Sequence, residues 1–212
     1  MGQGVELIVL KFTMVKVVVF DLGNVVWHHE ELFKEFQKEW SRILGISYDE
    51  FRTRYQGVYV DFEKGKKEVW DWFRELRPDT DSRVFEEVLE KTLNNKEKFE
   101  IYYNRGVVNL IAKLRGDYKV GLLSNSENYI YPYVHKKMEG WFDFSIISWQ
   151  TGCRKPDEEI YKLIFKQGNF KPEEIVFIDD KEENVETAKK LGIIGIKFDN
   201  NKQLFCVLNK LK

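Results

Sequence analysis

Val17-Val18-Val19-Phe20 is an unbroken apolar run that ends abruptly in Asp21. It constrains the fold of this chain more than any other feature. The run does not alternate, so a strand built from it must be covered on both faces, as strands of a parallel sheet between helices are. Asp21 then stands at the carboxyl edge of a buried strand, where open α/β sheets bind their ligands. The pattern returns twice: Tyr118-Lys119-Val120-Gly121-Leu122-Leu123 runs into Ser124-Asn125, and Ile175-Val176-Phe177-Ile178 runs into Asp179-Asp180. Three strand ends thus bring three acids, a hydroxyl and an amide to one edge. Between the last two lies Arg154-Lys155-Pro156-Asp157, where Pro156 is expected in the first turn of a helix with Lys155 held just before it.

The segment after the first run has a helical period instead. Leu32, Phe33, Phe36, Trp40, Ile43 and Leu44 recur at helical spacing, and Gly45 closes that helix. Ser47 to Glu50 reads as a capping box for a second helix. Val69, Trp70, Phe73 and Leu76 mark a third, ended by Pro78, and Val84, Phe85, Val88, Leu89 and Leu93 mark a fourth. After a helix at Val107 to Leu114, strand and helix alternate to the end, as βα units do. The expected class is α/β, with a Rossmann-like parallel sheet core from residues 1–27 and 104–212 and an inserted all-helical cap over residues 28–103. Trp27, Trp40, Trp70, Trp72, Phe62 and Tyr59 enrich that insertion; such rings either face a cleft or build a core, and the core reading is preferred because large rings dominate buried area.

In order, Asp21, Ser124, Lys155 and Asp179-Asp180 fill the four motif places of the haloacid dehalogenase-like superfamily of phosphatases, which the chain resembles from about residue 15 to 198. Phe20-Asp21-Leu22-Gly23-Asn24-Val25, with Arg154-Lys155-Pro156 and Phe177-Ile178-Asp179-Asp180, is most similar to the sugar-phosphatase branch that includes α-glucose-1-phosphate phosphatases. The resemblance implies a magnesium-dependent hydrolase in which Asp21 attacks phosphorus and forms an aspartyl-phosphate that water then cleaves. It implies Mg2+ held by Asp21, the Gly23 carbonyl, Asp179 and Asp180. Lys155 would neutralise the phosphoryl oxygens, with Ser124 and backbone N–H groups near Asn125 as donors. The run Ser124 to Glu127 also reads as a helix N-cap, itself a phosphate site. Asn184, a helical turn after Asp180, is expected to orient that acid.

One position departs from the superfamily pattern. Most of its phosphatases carry a second aspartate two residues after the nucleophile, as the acid that protonates the leaving group, and here Gly23 stands there. General acid help contributes about a hundred- to ten-thousand-fold, so a preference for activated leaving groups is expected: anomeric sugar, acyl or aryl phosphates. His28 and His29, in the loop after the first motif, are candidate surrogates, although most histidines at the start of such a helix are simply exposed.

Composition restricts the partners. The chain has 212 residues, enough for a sizeable core. A net charge of −1 offers no basic footprint for nucleic acid. Cys153 and Cys206 have no metal or redox spacing, which suits a reducing cytosol. Val5 to Phe12 is apolar enough for an extra edge strand but too short to span a membrane, and it lacks a basic leader. The expected partner is a small phosphate ester met in the cytoplasm by a monomer or small homo-oligomer. Alternatives are a phosphomutase, a haloacid dehalogenase or a non-catalytic protein-binding module. The intact acidic pair argues against dehalogenation, which in this superfamily needs no metal.

Overall fold

A computed structural model of the chain describes residues 14–93 and 101–209. The edge strand expected over Val5 to Phe12 lies outside the described residues. Five strands form one sheet: β1 (Val17–Phe20), β2 (Lys119–Ser124), β3 (Phe144–Ile147), β4 (Ile175–Asp179) and β5 (Ile194–Lys197). They are parallel, in the order β3-β2-β1-β4-β5. The crossovers run outward from β1 on one side and from β4 on the other, so the chain reverses direction between these two strands. A crevice opens at the carboxyl ends of strands at such a switch point.

Both faces of the sheet are buried, as the lack of alternation in β1 requires. Val17 and Val19 pack with Ile160, Tyr161, Ile164 and Phe177 on one side. Val18 and Phe20 pack on the other with Val107, Ile111 and the aromatic layer. Gly121 is needed for close approach, since a Cβ there would stand 2.3 Å from the Phe144 ring on the neighbouring strand.

Between β1 and the helix α6 (Arg105–Leu114), every described element is helical: α1 (Glu30–Leu44), α2 (Tyr48–Gln56), α3 (Tyr59–Glu63), α4 (Val69–Leu76) and α5 (Arg83–Leu93). Gly45 closes α1 in the left-handed region at φ 70°, and the Ser47 hydroxyl accepts the Glu50 N–H at 3.1 Å. The rings pack as core: Trp27, Trp40, Phe62 and Trp72 are fully or nearly buried, and Trp40 Nε1 donates to the Phe85 carbonyl at 2.9 Å. The chain leaves and re-enters the sheet layer side by side. His28 N–H donates to Tyr102 O and Asn104 N–H to Val26 O, at 2.8 and 2.9 Å.

After β3 come α7 (Ser148–Thr151), α8 (Glu158–Lys166), α9 (Glu182–Lys190) and α10 (Asn201–Leu208), which complete the layers. Among the described residues no helix is long and apolar enough to cross a membrane.

Candidate active site

Parallel register fixes the first geometry. Phe20 lies level with Leu122 on one side and Ile178 on the other, so Asp21, Leu123 and Asp179 emerge together at the sheet edge. Asp21 N–H still donates to Ile178 O at 2.8 Å, which prolongs the strand backbone by one residue. Lys155, only 2 % exposed, reaches this edge from the loop before α8. Its Nζ donates to Asp21 Oδ1 at 2.5 Å, Asp179 Oδ2 at 2.7 Å and Leu123 O at 2.9 Å. The three ammonium protons are thereby used, which is what a buried Lys requires. Burial alone would lower its pKa, but Asp179 and Asp21 hold it above the usual lysine value. Burial raises Asp21 to about 7, with Asp179 adding to the rise and Lys155 opposing it.

Asp179, Asp180 and Asp21 each place a carboxylate oxygen within 4.8 Å of the others. Asn184 Nδ2 donates to both oxygens of Asp179 at 2.9 and 3.0 Å, and Lys181 N–H adds a bond to Oδ1 at 2.8 Å. This corrects the expectation that Asn184 orients Asp180. Asp179 ends a buried strand under the first turn of α9, where Asn184 meets it. Asp180 is steadied instead by Asn24, whose Nδ2 lies 3.2 Å from Asp180 Oδ2 and 3.1 Å from Glu30 Oε1. Asn24 has φ 57°, a left-handed conformation that Asn tolerates better than most residues. Its role was not read from the sequence, although an Asn after Gly in a tight turn carries that signal.

Ser124 is buried at the end of β2 and lines the cleft. Asn125 does something the sequence did not reveal. Its side chain accepts Lys155 N–H at 2.8 Å and donates to Lys155 O at 2.9 Å, clamping the lysine's backbone from the neighbouring loop. Pro156 nevertheless does not open the helix: Asp157 after it is extended and serves as the N-cap, so α8 starts at Glu158. The Asp157 carboxylate is drawn to Lys64 at 2.8 Å. Nor does the run from Ser124 cap a helix; it leads to a single 3-10 turn, Asn128–Ile130, with no side-chain cap. The Ser126 N–H goes to Ser148 Oγ at 3.0 Å, and its hydroxyl lies 3.0 Å from His135 Nε2.

The two histidines separate. His28 is exposed. His29 is half-buried, stacked on Trp27 and edge-on to Phe33. Its ring fills the space above Gly23, since a Cβ on Gly23 would sit 2.9 Å from His29 Cε1 and 3.9 Å from Asp21 Oδ2. Burial lowers the imidazole pKa. Between the helical layer and the sheet edge lies a cavity of about 170 Å³ lined by Gly23, His29, Gln37, Tyr55, Glu63, Ser124, Asn125 and Glu127, among others. Arg154 Nε donates to Glu63 at 2.6 Å across the same gap. Of the larger grooves, one of about 590 Å³ along α1 and α5 lies away from the acids and Lys155, whereas one of about 780 Å³ between α1 and α2 shares His29, Phe33, Gln37 and Tyr55 with this cavity.

Comparison with known proteins agrees with this geometry. The family described as haloacid dehalogenase-like hydrolase matches residues 15–192. A D-ribitol-5-phosphate phosphatase of Bacteroides thetaiotaomicron is 27 % identical over 92 % of this chain and all of its own. A phosphorylated carbohydrates phosphatase of Thermotoga maritima is 25 % identical over 83 % of this chain and 81 % of its own. A magnesium complex of a Bacteroides thetaiotaomicron enzyme superposes with a TM-score of 0.71 at 25 % identity, covering 91 % of this chain and 98 % of that one.

Proposed function

The chain belongs to the haloacid dehalogenase-like hydrolase family, and from that premise we propose that it is a magnesium-dependent phosphatase that hydrolyses a small phosphorylated carbohydrate through an aspartyl-phosphate on Asp21. The observation that carries this reading is Lys155 Nζ, which bridges Asp21 and Asp179 at 2.5 and 2.7 Å beside Asp180. The phosphate-acting relatives support the substrate class.

The donor set fits magnesium. Its side-chain ligands are carboxylate oxygens, the choice of hard cations. Three carboxylates share one buried ammonium, so a divalent ion would balance the two remaining negative charges. Asp21, Asp179, Asp180 and the Gly23 carbonyl would hold it. When bound, such an ion neutralises phosphoryl oxygens and so lowers the repulsion that an attacking carboxylate meets.

The chain's own groups do the rest. Lys155 holds Oδ1 of Asp21 and leaves Oδ2 to attack phosphorus on the Gly23 side. The phosphorus–oxygen bond of the ester breaks, and the leaving oxygen departs into the cavity and takes its proton from water there. Water then attacks phosphorus, frees phosphate and regenerates Asp21, with His29, the imidazole over Gly23, taking the water's proton. Ser124 donates to the phosphoryl oxygens, and Asn125 keeps Lys155 in register. Residues 28–103 act as the cap that closes the cavity from water. With glycine where the superfamily has its usual acid, leaving groups that depart without a proton are favoured.

The test is phosphate release from sugar, acyl, aryl and alkyl phosphates with magnesium, with chelator, and with Asp21→Asn. Metal-dependent release that disappears in the variant is expected. Release that survives Asp21→Asn undiminished would refute the nucleophile assignment.

A further inference from the structure

Glu127 is not one of the superfamily's four motif residues, yet it is the carboxyl group of the sheet layer that faces the leaving-group side of the cavity. It lies three residues past Ser124, is 9 % exposed and lines the cavity with Gly23 and Ser124. Tyr55, from α2 in the helical layer, donates its hydroxyl to Glu127 Oε1 at 2.7 Å. Tyr129 stands 2.7 Å behind Tyr55, so its hydroxyl donates in turn to Tyr55. This chain of donors fixes the carboxyl group from behind. Besides a bond from Glu127's own backbone N–H to the carboxylate, no hydrogen bond from another described residue reaches the other oxygen, Oε2. It is also not one of the sealed polar atoms left without a partner. An acceptor nine-tenths buried, held in place and open to a cavity is a site that a ligand donor completes.

We propose that Glu127 reads a hydroxyl of the leaving group, with Tyr55 as its positioning residue, so that the enzyme selects small polyhydroxylated phosphates over plain alkyl ones. The inference rests on the phosphatase reading and adds to it the group that recognises the substrate. A site built to hydrogen-bond a hydroxyl rejects the analogue lacking it, because the buried acceptor is then left unpaired. The rest of the wall suits the same ligand. Gln37 and Glu63 add polar groups, while Phe33 and Trp27 offer ring surface to a carbon chain. Burial first, then Glu63, pushes the Glu127 pKa up to about 7, and a carboxyl group bonds a hydroxyl in either protonation state.

The test compares kcat/KM for sugar-alcohol phosphates with that for alkyl phosphates of equal carbon count, with acetyl phosphate as a substrate that carries no hydroxyl. Wild type should prefer the sugar-alcohol member of each pair by about tenfold or more. Glu127→Leu, close in volume, should cut that preference at least several-fold, and Glu127→Gln, which keeps an accepting oxygen, should restore part of it. Tyr55→Phe should lower it by a smaller factor. A latch between the two layers with no part in recognition would lower both members of a pair alike, so an unchanged preference in Glu127→Leu would overturn the proposal. So would a wild-type enzyme that hydrolyses acetyl phosphate but shows no preference within the pairs; the phosphatase reading would then stand alone. Absence of phosphate release from every one of these substrates by wild type would refute both.

Discussion

Replacing Gly23 by Asp restores the carboxylate that most of the superfamily's phosphatases carry, and the packing here predicts that it fails by itself. The backbone at Gly23 is not in the left-handed region, so no conformational strain opposes a side chain. The obstacle is His29, whose Cε1 would stand 2.9 Å from the new Cβ. Carbon atoms pack best at about 3.5–4.0 Å, so the ring must move by roughly half an ångström or more. Trp27 at 5.6 Å and Phe33 at 4.7 Å between ring centroids resist that movement. Overpacking of this kind costs about 1–3 kcal/mol, equivalent to a fall in Tm of roughly 2–12 °C for a chain of this length. His29→Ala alone loses two ring contacts, at about 0.5–1.5 kcal/mol each. In the double variant the obstacle is gone, so the two costs should not add. A coupling energy of about 1 kcal/mol or more is expected from urea unfolding of the four proteins. Only in the double variant is the new carboxylate free to enter the cleft, and hydrolysis of alkyl relative to aryl phosphates should rise there by about tenfold or more. Additive stabilities, or a Gly23→Asp protein as stable as wild type, would refute the argument that His29 occupies this space.

Two further outcomes are expected. Asn184→Leu removes both bonds to Asp179 and should weaken magnesium binding about 10–100-fold by calorimetry; an unchanged Kd would show that Asp179 needs no such support. His135 has its pKa lowered by burial from 6.5 to about 4, so the native state holds it neutral while the unfolded chain takes up a proton as the pH drops. The stability it contributes is present above about pH 6.5 and is lost as pH falls towards 4, by about 3 kcal/mol at most. His135→Gln should flatten the decline of the urea midpoint over that window, and an unaltered slope would remove His135 as its cause.

Asn184 and Asn24 show how the acidic cluster is divided. Each amide serves a different carboxylate of the Asp179-Asp180 pair, one from the following helix and one from the turn after β1. Buried Asp179 receives bonds on both oxygens and from Lys155, whereas half-buried Asp180 receives one and keeps more of its surface for a ligand. Amide donors of this kind set the direction of a metal-binding carboxylate as much as the strand does. Their placement accounts for a cluster compact enough to hold an ion although three like charges repel one another.

What the sequence determined by itself was the chemistry at the strand ends. Unbroken runs such as Val17–Phe20 and Ile175–Ile178 can be buried only in a doubly covered parallel sheet, and the residue after each run then falls at its carboxyl edge. Asp21, Ser124 and Asp179-Asp180 were legible for that reason, Lys155 through the resemblance of Arg154-Lys155-Pro156 to a family motif, and α1 with its closing Gly45 through helical spacing. The tertiary structure alone decided what those residues touch. Asn125 clamps the backbone of Lys155 from 30 positions away, and the extended Asp157 moves the helix start past Pro156. His29 lies over Gly23 because Trp27 and Phe33 stack around it, and Tyr55 meets Glu127 from 72 positions away because two layers close on each other. Local pattern fixes which face of an element is buried. Contacts between distant segments depend on packing across loops whose length and path leave no periodic trace in the chain.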